Sequence, residues 1–256
     1  MDSLTPDSQA ILLLTARFST GRRGDFTPLT PTEYGRLAGW LREQGRTPKD
    51  LLRQLDDVLS QWQDPKGKVT KERLHYLMGR GGGMGIALEK WASAGIWIVT
   101  RADSGYPERL RRRLAQQAPP LLFGIGEASL LDRGGLAIVG SRNIQAEEEE
   151  YTQCIANEAA QAGMSVVSGG AKGVDQVAME SALQAEGTSL GVLSNGLWKA
   201  ALSGVWRPYL RRKDLCLVSP YHPEAPFQVG QAMGRNKYVY CLADYGLVVR
   251  ADEGQG

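Results

Sequence analysis

The sequence predicts an α/β protein, with a doubly wound, mostly parallel sheet preceded by a small helical N-terminal domain. Three observations predict it. Between Leu136 and Leu193 short apolar runs alternate with helix-like stretches, the pattern of parallel strands joined by crossover helices. Two of those runs, Leu136–Val139 and Met164–Val167, lead into Gly/Ser-rich turns that each carry one cation. The first 94 residues instead place apolar side chains at helical spacing behind repeated helix-start signals. The expected domains are therefore helical over 1–94 and sheet-based over 95–256.

The helix starts share one device. Thr5-Pro6, Thr30-Pro31 and Thr47-Pro48 each put Thr at the N-cap and Pro at the first helical position. Glu33 and Asp50 then fall where a carboxylate answers the cap. Tyr34, Leu37, Trp40 and Leu41 form one apolar stripe, and Leu51, Leu52, Leu55, Val58 and Leu59 form the next; both read as core. Asp64–Lys68 reads as a loop. Lys71–Gly79, the glycine-rich Arg80–Gly85 and Ile86–Ala94 read as helix, turn and helix. That is the outline of a SAM-like or helix-hairpin-helix-like unit, whose turn amides contact a DNA phosphate. A plain αα-hairpin turn accounts for the same residues.

Gly95–Thr100 is a strand. Tyr106-Pro107, Pro119-Pro120 and Leu121–Gly124 form a structured connector, and Arg109 with Arg111, Arg112 and Arg113 a solvated helix face. Glu147–Ala162 is a helix with Tyr151, Ile155, Ala159 and Ala162 on one face, stopped by Gly163. Its four leading glutamates complement the dipole and repel a polyanion. Asp175–Glu186 is the second crossover helix. From Trp198 to Lys213, aromatics interleave with cations: Trp198, Lys199, Trp206, Arg207, Tyr209, Arg211, Arg212 and Lys213. Single-stranded nucleic acid needs that mixture for stacking and phosphate pairing; an amphipathic helix with core aromatics has the same composition. Leu215–Ser219 is a strand, and Pro220, Pro223 and Pro226 break the chain after it. Gly234-Arg235-Asn236-Lys237 precedes a short apolar helix, Tyr238–Leu242, and Leu247–Arg250 is the last strand. The chain then reads as cut short, on the turn Glu253–Gly256.

The expected site lies beyond the carboxyl ends of the strands, where open α/β sheets bind ligands. Glycine reaches φ > 0 at little steric cost, so consecutive N–H groups can converge on an anion. A helix starting next adds free N–H groups and the positive end of its dipole. Arg142 and Lys172 add full charges to two such turns. No G-x-G-x-x-G follows the first strand and no P-loop motif occurs, so no dinucleotide or nucleotide-hydrolysing cofactor site is indicated. Paired catalytic carboxylates, a Ser/His/Asp set and a metal-like His/Cys spacing are also lacking. His75 and His222 are isolated, which points to a binding protein and not an enzyme. Cys154, Cys216 and Cys241 sit in apolar context, read as buried free thiols of a reducing cytoplasm. No apolar run reaches membrane length. Net charge is only +2, with 19 Lys and Arg against 14 Asp and Glu in residues 1–128 and 11 against 14 in residues 129–256. A polyanion would have to be held by a local cluster of cations.

Three segments together resemble the DprA/Smf family of DNA-processing proteins. They are Val139-Gly140-Ser141-Arg142, then Ser168-Gly169-Gly170-Ala171-Lys172-Gly173-Val174-Asp175, then Met233-Gly234-Arg235-Asn236-Lys237. The Tyr106-Pro107 and Pro119-Pro120 lead-in is also similar, and the resemblance covers residues 95–256 well and the helical part loosely. It implies a Rossmann-like domain that binds single-stranded DNA, dimerises and helps load the recombinase RecA during transformation. The implied phosphate-binding residues are Gly140, Ser141, Arg142, Ser168, Gly169, Gly170, Lys172, Gly173, Arg235, Asn236 and Lys237. The sequence departs from the family at Gly170, at Met179 and at Gly196-Leu-Trp-Lys. Two other readings stand beside it: a nucleotide-binding or nucleotide-hydrolysing domain resembling the LOG phosphoribohydrolases, and a non-catalytic sensor or interaction domain of a defence system.

Overall fold

Capping chemistry sets the first helices. The computed structural model describes residues 4–18 and 26–251. Helix α1 (Pro6–Thr15) opens with the Thr5 hydroxyl accepting from the Ser8 backbone N–H. Helix α2 (Pro31–Glu43) carries a full capping box: Glu33 N donates to Thr30 Oγ1 and Thr30 N to Glu33 Oε2. A cap of this kind contributes about 1 kcal/mol. The third Thr-Pro start differs. Pro48 lies in a turn and α3 (Asp50–Arg53) begins two residues later, with Asp50 accepting from Thr47 N. Then come α4 (Leu55–Ser60), α5 (Lys71–Met78) and α6 (Gly81–Ser93). The expected stripes supply the core of this region, where Leu37, Leu41, Leu51, Val58 and Leu59 pack with Leu74 and Leu77; Leu52 is exposed.

One expectation is corrected here. Gly81, Gly82, Gly83 and Gly85 do not form a turn between two helices but the first turns of α6. Each glycine costs up to about 1 kcal/mol of helix propensity. Burial of Ala87 and Trp91 further along the same helix outweighs it, and the break between α5 and α6 falls at Gly79 and Arg80 instead.

Next come β1 (Trp97–Thr100), α7 (Glu108–Leu114), β2 (Leu121–Gly126), β3 (Leu136–Val139), α8 (Ala146–Gln161), β4 (Val166–Ser168), α9 (Val174–Gln184) and β5 (Ser189–Val192). After them lie α10 (Trp198–Ala201), α11 (Arg207–Arg212), β6 (Leu215–Ser219), α12 (Val229–Leu242) and β7 (Tyr245–Val248). The strands form one sheet of order β1-β2-β6-β5-β4-β3-β7. From β6 to β7 every pairing is parallel, while β2 runs antiparallel to β6. That is the mixed α/β architecture expected. The described residues fall into two compact units: those of Met1–Ser93, Ile98–Tyr106 and Arg111–Leu122, and those of Ala94–Trp97, Pro107–Leu110 and Phe123–Gly256.

The buried face of α8 is rotated by one residue from the expected one. Thr152, Ala156 and Ala159 are inside, whereas Tyr151 and Ala162 are exposed. Small residues win because α8 packs on Ala178 and Ala182 of α9, and Thr152 is buried with its hydroxyl donating to Glu148 O at 2.6 Å. The segment Gly234–Lys237, expected to precede a short helix, is instead the middle of α12. The aromatic and basic segment 198–213 forms two short helices and not one. The α7 arginines are not merely solvated: Arg109 pairs with Asp244, and Arg111 donates to Arg101 O at 3.1 Å. Of the three thiols only Cys216 is fully buried; Cys154 is exposed and Cys241 half-buried. The turn Glu253–Gly256 lies outside the described residues. Among the described residues no helix is long and apolar enough to cross a membrane.

Candidate nucleic-acid interface

Strands β3 and β4 are neighbours in register, Leu136 opposite Val166 and Ala137 opposite Val167. Their carboxyl ends, and so the two Gly/Ser turns, stand side by side. Three contacts lock the turns together. Ser168 Oγ donates to Ile138 O at 2.6 Å. Val174 N donates to Ser141 O at 3.2 Å. Gly173, the N-cap of α9, sits at φ 86° with its Cα so close to the other turn that a Cβ would lie 2.4 Å from Ser141 O. Only glycine meets both conditions.

A buried ion pair lies beneath the turns. Asp175 is 5% and Arg235 3% exposed, and Arg235 Nη1 lies 3.6 Å from Asp175 Oδ2. The same Nη1 donates to Val192 O at 2.8 Å, and the guanidinium covers Gly169, leaving no room there for a Cβ. Burial pushes the Asp175 carboxyl up, against the pull of Arg235 and of the backbone N–H groups of Ala171, Gly140 and Gly169. Burial likewise lowers Arg235, against Asp175. Three backbone N–H groups of the two turns thus lie toward the protein's own carboxylate. The glycines at 140, 169 and 170 act as spacers: a Cβ on Gly140 would strike Val174, and Gly170 takes φ 65° against Leu193.

Above this floor opens a cleft of about 610 Å³. Gly140, Ser141, Arg142, Arg235 and Asn236 line it, together with apolar Val229 and Met233. Arg142 is exposed, and its guanidinium lies over the Phe227 ring at 4.9 Å from the centroid. Ser141 Oγ donates to Asn143 O and accepts from Asn143 N, which fixes the turn that carries Arg142. Lys172 and Lys237 are exposed but outside the cleft lining; Lys237 leans on the Tyr238 ring at 5.0 Å. Ser168, Gly169, Gly170 and Gly173 lie behind the lining. The structure thus gathers five of the eleven expected residues around one cleft and puts the others beneath or beside it. It adds Asp175, Tyr240 and Arg250, which sequence reasoning missed. Arg250 Nη1 donates to Glu148 Oε1 at 2.8 Å. A carboxylate in the first turn of a helix that opens at a glycine was the available signal for Asp175. Nothing in the sequence marks Tyr240 or Arg250. Among the described residues no group of three or more His, Cys, Asp or Glu is placed to hold a metal ion.

Comparison with known proteins bears on the fold and the family. The chain is 26% identical over 171 residues to the DNA processing protein DprA of Bacillus subtilis, and 40% identical over 79 residues to the protein Smf of Escherichia coli. These matches take in 66% and 31% of this chain but only 57% and 21% of those proteins, so the chain spans between about a fifth and little more than half of their length. Among solved structures, DNA processing protein A of Streptococcus pneumoniae superimposes with a TM-score of 0.67 at 19% identity, over 96% of this chain and 78% of the other, a likeness of fold. The Helicobacter pylori protein, whose description is of a single-stranded DNA binding mode, gives 0.52 at 25% identity over 63% of this chain and 73% of the other. The profile of the DNA recombination-mediator protein A family matches residues 97–256, and with that match the chain belongs to this family.

Proposed function

We propose that the chain is a non-catalytic, single-stranded DNA-binding protein that takes backbone phosphates at the carboxyl ends of β3 and β4. One observation carries the reading: Arg142 and Lys172 are both exposed, on two turns that the fold holds side by side. Arg142 lines a cleft with apolar walls, suited to an unpaired nucleotide, and Arg250 stands at the same cleft. The Gly/Ser turns shape this platform, while side-chain cations contact the strand. The glutamates at 147–150 keep a polyanion off the outer face of α8. Family membership supports the further reading that the protein is cytoplasmic, forms homodimers and assists RecA-dependent recombination or DNA uptake.

Titration of one sample with a short single strand, a blunt duplex of equal length and a nucleoside monophosphate tests the proposal. The single strand should bind tightest, because stacking surfaces need unpaired bases. Equal affinity for the duplex would overturn it, and preference for the monophosphate would favour the nucleotide-handling alternative.

A further inference from the structure

The segment between β5 and β6 is set apart by its charge. Residues 198–213 hold Lys199, Arg207, Arg211, Arg212 and Lys213, five of the eleven Lys and Arg of residues 129–256, and no Asp or Glu. None of them lines the cleft. Trp198 N donates to Pro223 O, which pins the start of the segment. Helix α11 leads into Leu215 at the amino end of β6, the other end of the parallel strands from the cleft. Arg212 is committed to the protein: Nε donates to Asp214 Oδ2 at 2.6 Å and Nη2 to Leu183 O at 3.3 Å, and the guanidinium covers the Tyr209 ring at 5.3 Å. Lys199, Arg207 and Arg211 are exposed, and among the described residues none of the three has a carboxylate partner. An apolar tip stands among these cations. The turn between α10 and α11 presents Leu202 at 62% and Val205 at 55% exposure, with Gly204 facing open space between them and Trp206 half-buried after them.

We infer that this segment is a peripheral docking surface for an anionic lipid bilayer. Leu202 and Val205 enter the boundary of the acyl chains, and Lys199, Arg207 and Arg211 lie among the headgroups. A nucleic-acid strand uses cations and open aromatic faces. It has no use for an aliphatic tip, and the Tyr209 face is already covered. A bilayer uses both parts, because aliphatic side chains leave water for hydrocarbon while cations meet the negative surface potential. Tryptophan favours the boundary between the two, which is where Trp206 follows the tip. The attachment is shallow and reversible, and each cation at the surface strengthens it about fivefold. It is independent of the phosphate reading of the cleft, whose lining it leaves uncovered.

The test is flotation of the full chain with vesicles of phosphatidylglycerol and phosphatidylcholine in equal parts, and with vesicles of phosphatidylcholine alone. The chain should float with the first and not with the second, and added salt should release it. Leu202→Ser with Val205→Ser should lower partitioning about tenfold or more, from the apolar area no longer buried. Arg207→Gln with Arg211→Gln should lower it about 25-fold. All four positions are exposed, so both variants should keep the circular dichroism and melting temperature of the parent chain. The aliphatic variant should also bind a short single strand as the parent does. No flotation with the anionic vesicles, equal flotation with both kinds, or undiminished flotation of the aliphatic variant overturns the inference. Weaker strand binding with a flatter salt slope in the arginine variant, without loss of flotation, overturns it as well and assigns the segment to nucleic acid.

Discussion

Replacing Asp175 by Ala should destabilise the sheet unit by about 3–5 kcal/mol, the cost of leaving one member of a buried ion pair without its partner. The structure supplies the terms. At 3.6 Å, two unit charges attract by about 5 kcal/mol at an effective dielectric constant of about 20. The carboxylate also answers the N–H groups of Ala171, Gly140 and Gly169. Each loses up to about 1–3 kcal/mol if left unsatisfied, and less where cleft water replaces the carboxylate. Arg235, 3% exposed, would remain as a buried cation with Val192 O as its hydrogen-bond acceptor. Urea unfolding should be read by hydrogen exchange of peptides covering β3, β4 and α9, so that this unit is scored by itself. With a slope of about 3 kcal/mol per molar, the midpoint should fall by about 1–1.7 M. Adding Arg235→Met removes the orphaned charge and should recover at least half of the loss. A single variant costing less than about 1 kcal/mol, or a double variant costing the sum of the two singles, would refute the argument.

Four further outcomes are expected. Replacing Arg142 and Lys172 together by Ala should flatten the dependence of log K on log salt by about 1–1.5 units, at ~0.7 per phosphate contact. Glu147→Ala is the control, and a folded double variant with unaltered slope and affinity places the site elsewhere. Gly173→Ala should cost about 2 kcal/mol or more, from a strained φ and the collision with Ser141 O, and should weaken binding with it; an unchanged melting temperature would contradict the locked turns. In the helical unit, hydrogen bonds from Arg36 and from the Lys68 and Val69 N–H groups hold the Asp64 carboxyl well below its usual range. Burial would raise Glu33, but Arg73 and Thr30 together bring it below its usual value. Depressed carboxyls stabilise the native state above their unfolded values and lose that contribution as pH falls toward the native ones. Asp175, raised by burial, acts in the opposite sense, so exchange protection of α2 and α5 should fall below roughly pH 4 before that of α9. Protection lost first in α9 would reverse the assignment. Finally, Cys154 should react with a thiol reagent in the native protein and Cys216, buried with its thiol pushed up, only on unfolding; fast labelling of Cys216 would show that β6 opens.

The parallel sheet was legible because strand and helix periods differ and because the β3 and β4 runs end in glycine. The caps at Thr5 and Thr30 were legible because their geometry is local. What failed depended on tertiary packing. Glycines at 81–85 read as a turn by propensity, yet α6 is held by Trp91, a full two turns further on. The face of α8 was assigned to Tyr151, Ile155, Ala159 and Ala162, whereas close approach to α9 selects Thr152, Ala156 and Ala159. At the site, Arg142 and Lys172 could be placed from strand-end logic alone. The role of Arg235 could not: its partners Asp175 and Val192 are far away in sequence, and the motif does not say that the guanidinium points inward. Phe227 carries no motif at all, and its position over Arg142 arises from where the loop before α12 is anchored.

The interlock of Gly173 with the carbonyl oxygens of Ser141 and Arg142 has a consequence for thermodynamics. Two turns in close contact at Gly173 resist compression, and the Val174 N–H bond resists their separation, so the backbone origins of Arg142 and Lys172 are held against changes in spacing. An anionic chain that bridges them meets a receptor of fixed span. The ordering entropy of association then falls on the chain and on two exposed side chains, and little of it on the protein backbone. Ligand stiffness becomes the variable to which such a receptor responds: a flexible polymer adjusts its phosphate spacing to the protein, and a rigid helix with its own repeat does not.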